Sequence, residues 1–112
     1  MRMREVYSRE IIVANTRGEI EVCATVWHDD GTYDQCVCFA GDTNDWATTL
    51  HVEIPDGVTA VLRQIYLHCR NISPLRWIRE TSYTLDAQDK MFEPLWAWLE
   101  GKRAINNKDA GK

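Results

Sequence analysis

Apolar positions alternate with polar ones along the first part of the chain and switch to a helical period further on. Glu5 to Asn15 is rich in β-branched and aromatic residues and runs into Asn15-Thr16-Arg17-Gly18, so it predicts a first strand ending in a turn. From Glu19 to His28 the alternation is clean, with Ile20, Val22, Ala24 and Val26 on one side and Glu21, Cys23, Thr25 and Trp27 on the other. Asp30-Gly31 then predicts a two-residue type I′ hairpin into a third strand. That turn implies a register in which Val22 opposes Phe39, Ala24 opposes Val37, Val26 opposes Gln35 and His28 opposes Tyr33, all on a core face. The other, mixed face pairs Glu21 with Ala40, Cys23 with Cys38, Thr25 with Cys36 and Trp27 with Asp34. A slip of one residue would mix the two sets.

A loop from Gly41 to Trp46 leads to an expected fourth strand over Thr48 to Ile54, which Pro55-Asp56-Gly57 breaks. Beyond it, Val58, Val61, Leu62, Ile65, Tyr66 and Cys69 recur at the spacing of one helix face, with Asp56 as the expected N-cap. The competing reading is a hairpin through the Pro-Asp-Gly turn, and Val58 to Leu67 lacks the alternation it requires. Ser73-Pro74 suits the start of a short helical turn over Leu75 to Glu80. A last helix is expected from Ala87 to Glu100, capped by Asp86, with a stripe of Met91, Phe92, Leu95, Trp98 and Leu99 and a kink or restart at Pro94. Strands followed by helices predict an α+β fold: an antiparallel β-meander of three to four strands, with two to three helices packed on one face. Residues 1–100 form one domain in this reading, and 101–112 a polar, flexible tail.

A chain of 112 residues, 45% hydrophobic, suits a single core. The longest apolar runs are far shorter than the ~20 residues of a membrane span, and the basic N-terminus lacks the apolar region of a secretory signal. A cytoplasmic protein with reduced thiols at Cys23, Cys36, Cys38 and Cys69 is therefore expected.

Charge changes the picture more, because it is segregated. No Lys or Arg lies between Gly18 and Leu62, a stretch holding Glu19, Glu21, Asp29, Asp30, Asp34, Asp42, Asp45, Glu53 and Asp56. The rest of the chain carries an excess of cations, and the net charge is −4. That sign opposes direct nucleic-acid binding at longer range, although Arg63, Arg70, Arg76 and Arg79 form a basic stripe. No G-x-S-x-G, H-E-x-x-H, Walker or G-x-G-x-x-G pattern occurs, and the acidic loops lack the calcium-loop spacing. No cofactor is implied, and the chain does not read as an enzyme.

Tryptophan offers the other lead. There are five, and Trp and Tyr concentrate binding energy at interfaces. Trp77, Trp96 and Trp98 read as core. Trp27 sits on the mixed sheet face beside the acidic turn, and Trp46 closes the loop of Asp42 and Asp45. These observations point to a small binding protein that presents Trp27, Asp29, Asp30, Asp34, Asp42, Asp45 and Trp46 to a protein partner with a basic surface, as an inhibitor or regulator. In size and acidity it resembles the small antagonists that phages and mobile elements aim at host nucleases and CRISPR complexes, a likeness of composition that covers no motif. The same residues leave two alternatives open. One is a homo-oligomeric module, such as a homodimer, that buries its mixed sheet face against itself. The other is a thiol- or zinc-dependent protein using Cys23, Cys36 and Cys38.

Overall fold

The fold is described from a computed structural model covering residues 6–16, 19–72 and 81–110. Four strands follow one another in the chain: β1 (Val6–Thr16), β2 (Glu19–His28), β3 (Tyr33–Ala40) and β4 (Trp46–Thr48). Helix α1 (Asp56–Ile72) comes next, then a fifth strand β5 (Thr81–Leu85), a 3-10 turn (Lys90–Phe92) and helix α2 (Glu93–Ala110). The sheet order is β4-β3-β2-β1-β5, with every described pairing antiparallel. The α+β class and the meander are as expected. Strand β5 is an addition: α1 carries the chain from the β4 edge to the opposite edge, where Leu85 pairs with Ile11.

Sheet and helices share one hydrophobic core. Ile11, Val13, Ile20, Val22, Ala24 and Val26 are buried on one face of the sheet, together with Cys36, Cys38 and Ala40. Against them α1 sets Val58, Val61, Leu62, Ile65, Tyr66 and Cys69, the face its period predicts. Its first turns hang from the Pro55 carbonyl, which accepts from the N–H of Val58 and of Thr59. Asp56 lies inside the first turn, where a carboxylate favours the positive end of the helix dipole.

The register of β3 differs from the expected one by a residue. Trp27 pairs with Tyr33, Ala24 with Cys36 and Val22 with Cys38. The connection is a three-residue loop in which Gly31 takes φ +87°, its N–H bonded to the His28 carbonyl at 3.1 Å. Asp-Gly serves this bulged loop as well as a type I′ turn, with the glycine supplying the left-handed residue. The slip turns every side chain of β3 over: Cys36 and Cys38 go into the core, and Val37 and Phe39 to the other face.

Three other expectations need correction. Strand β4 ends at Thr48, not Ile54, because the chain turns there: the His51 N–H bonds the Thr48 carbonyl, and His51 adopts φ 55°. Leu50 and Ile54 instead pack on the core from a loop. The last helix is capped later than Asp86. The Asp89 side chain accepts from the Met91 N–H and starts a 3-10 turn, and α2 begins at Glu93 with Pro94 in its first turn, where a missing N–H costs nothing. The offset exposes Met91 and buries Phe92, Leu95, Trp96 and Leu99. The helix also runs on to Ala110, through most of the stretch expected as a tail. The helical turn expected over Leu75 to Glu80 lies outside the described residues, as do Arg76, Trp77 and Arg79. No helix among the described residues is long and apolar enough to cross a membrane.

Candidate functional site

The β2–β3 turn gathers the first group of expected residues. Trp27 and Tyr33 face each other across the strands with ring centroids 4.9 Å apart, and they remain 37% and 54% exposed. Beside them β1 has an irregularity between Val6 and Ser8, where the extra residue Tyr7 is 78% exposed. Tyr7, Ser8, Trp27, His28, Asp29 and Gly31 line an open hollow of about 430 Å³.

The carboxylates here divide by role. Asp29 and Asp30 are exposed, and Asp30 also shapes the loop by accepting from the Thr32 N–H at 3.0 Å and from its hydroxyl at 2.6 Å. Asp34 lies on the covered face of the sheet, where His28 Nε2 sits 2.8 Å from its carboxylate and both side chains are largely buried. It clamps the hairpin end from below and does not stand beside Trp27.

The second group, Asp42, Asp45 and Trp46, lies at the other end of β3. Eight residues at ~3.4 Å each put roughly 25 Å between the two groups. Asp42 accepts from the N–H groups of Asn44 and Asp45, and the Trp46 indole donates to the Thr43 carbonyl at 3.0 Å while its ring packs on the core. Trp46 is thus half-buried and staples its loop; it is no exposed anchor. From α1, Arg63 donates to the Thr43 carbonyl and the Asn44 side chain, so this member of the basic stripe is spent on the same loop. Trp96 is buried as expected, its indole donating to the Ala87 carbonyl, with the Arg9 guanidinium over its ring and also paired to Glu100 at 3.0 Å.

The expected cluster of Cys23, Cys36 and Cys38 does not form, because the register puts Cys23 on the face opposite the other two. All four cysteines are free thiols. Cys36 is pushed well up by its hydrogen bond with Cys38 and by burial, while the same hydrogen bond lowers Cys38. Cys23 is only half-buried. Burial raises its pKa above the ordinary 9.0, against a lowering hydrogen bond with Thr25, and the charges of Glu10 and Glu21 raise it further. Iodoacetamide should therefore modify Cys23 ahead of the three buried thiols, slowly at neutral pH and with a rate still climbing beyond pH 9.0. Peptide mapping by mass spectrometry across a pH series checks both statements.

The sheet face between the two acidic ends is the feature the expected register hid. No described element covers it. Ile12, Cys23 and Val37 stand in one row across β1, β2 and β3, and Ala14, Glu21, Phe39 and Ala47 in the next. Comparison with protein-family models, with curated proteins and with solved structures finds no match.

Proposed function

We propose that this chain is a small acidic binding protein, not an enzyme, which docks on a basic surface of a protein partner and acts as an inhibitor or regulator. The observation that carries this reading is the hairpin end: Trp27 and Tyr33, both exposed, stand beside exposed Asp29 and Asp30 within a stretch of sequence free of Lys and Arg, and exposed Tyr7 of β1 adjoins them. Aromatic faces and carboxylates both attract Lys and Arg side chains. A cationic groove by which an enzyme holds nucleic acid offers such side chains in quantity, and an acidic protein seated there excludes the polyanion. This is the strategy of phage anti-defence, anti-CRISPR-like antagonists, and size and charge support placing this protein beside them in kind.

Surface plasmon resonance against a set of cationic nucleic-acid-binding proteins tests the proposal, with DNA as competitor and ionic strength varied. A true partner is displaced by DNA and binds less tightly as salt rises. Trp27→Ala weakens it roughly thirtyfold, as loss of an interfacial aromatic anchor does. Replacing Asp29 and Asp30 by Asn slows association and flattens the salt dependence. Affinity indifferent to all three substitutions rules the reading out.

A further inference from the structure

We propose that the docking surface is centred on the sheet face that no described element covers, and that its occupant is a cationic amphipathic helix of the partner, apolar along one side and flanked by Lys or Arg. This rests on the functional reading above and moves its centre from the loops to the sheet. Three successive rows make the surface: Trp27 with Tyr33 at one end, then Thr25 with Gln35, then Cys23 with Val37, and Phe39 lies beyond them. In the middle row Thr25 is buried and Gln35, which donates to its hydroxyl at 3.0 Å, is the exposed member, so one tethered amide lies between two apolar rows.

Dimensions favour a single helix. The rows from Trp27 to Phe39 span roughly 20 Å along the strands, and β1 to β4 roughly 14 Å across them. A helix with its side chains is about 10–12 Å wide, and 20 Å of it is some 13 residues.

Charge selects the helix. Glu10, Glu19 and Glu21 are the charged residues that the described strands place on this face, all exposed, and no Lys or Arg joins them. Register sets two of them at the middle of the strip, Glu10 opposite Thr25 and Glu21 one same-face position from Cys23. A second copy of the chain packed face to face would bring six glutamates and no cation from the described strands into one interface, a like-charge arrangement that disfavours self-association. A cationic occupant meets no such penalty.

The test uses the full chain and a fluorescent 14-residue helical Leu/Lys peptide as probe, with Leu/Glu and Ser/Lys peptides as controls. Fluorescence anisotropy reads affinity, and protection of Cys23 from iodoacetamide reads location. The expected result is binding of the Leu/Lys peptide alone, with Cys23 alkylation slowed about tenfold or more at saturation. Val37→Lys, or Glu10→Gln with Glu21→Gln, then lowers affinity at least tenfold, circular dichroism confirming that each variant folds; the glutamate pair is exposed and serves if Val37→Lys does not fold. Equal binding of the Ser/Lys peptide overturns the inference. So does Cys23 protection that grows with protein concentration alone alongside a doubled mass, since the face would then belong to a second copy. Binding that survives these variants but is lost when Asp29 and Asp30 become Asn returns docking to the loops, overturning the inference and leaving the functional reading intact. No binding of either cationic peptide overturns both.

Discussion

Cys38→Lys should leave the domain unfolded, while Val37→Lys, one residue away, should fold with a loss of no more than about 1–2 kcal/mol. The two positions point to opposite sides of β3. Cys38 is 1% exposed, among Val22, Thr48 and the helices, and an ammonium there has neither water nor a carboxylate partner. An uncompensated buried charge costs about 3–5 kcal/mol or more, comparable to the whole stability of a small domain. Val37 lies half-exposed on the open face near Glu21, where a lysine keeps its amine in water and lays its stem along the strip. Urea titration followed by circular dichroism measures both. The reverse order, Val37→Lys unfolded and Cys38→Lys tolerated, belongs to the type I′ register and would overturn the three-residue loop.

Leu62→Ala should cost about 3–4 kcal/mol and lower the melting temperature by roughly 10–20 °C. Leu62 is fully buried at the centre of the α1 face, against the sheet. Removing its branched end leaves a cavity walled by strands on one side and helix on the other, neither free to collapse. Leu67 is the control: on the same helix but 38% exposed, its replacement by Ala should shift stability by no more than about 0.5 kcal/mol. Leu62 also has a functional bearing, because the neighbouring Arg63 is what α1 extends to the loop of Asp42 and Asp45. Differential scanning calorimetry reports the two losses.

What could be read from the residues tracks how one-sided each pattern is. β2 alternates between aliphatic residues and a mixed set, and α1 repeats at 3–4 residues with a polar remainder, so both faces were assigned correctly. β3 offers Cys36, Cys38 and Ala40 on one side and Val37 and Phe39 on the other. Both sets are apolar, so orientation passed to the turn, and Asp-Gly is compatible with two turns that differ by one residue. The Thr48 to Ile54 alternation was real but marks a loop whose Leu50 and Ile54 lean on the core. β5 escaped notice because Thr-Ser-Tyr-Thr-Leu is too short to announce itself and forms only beside β1.

The site divides the same way. Exposure of Trp27 followed from its position beside a polar turn. Trp46 went inward because its indole finds a carbonyl within its own loop, and Asp34 because His28 waits on the covered side, contacts that depend on the folded path of the chain.

The pairing of β1 with β5 bears on how the protein is made. Ile11 and Leu85 are neighbours in the sheet, so a nascent chain must leave the ribosome as far as Leu85 before the first strand acquires its second neighbour. Until then β1 offers a bare row of amide and carbonyl groups to any extended chain nearby, and the loop to be closed is long. Biosynthesis that stalls before Thr81 releases a sheet with an open flank, so the segment that carries β5 decides whether the earlier strands are closed off or left to pair with those of other chains.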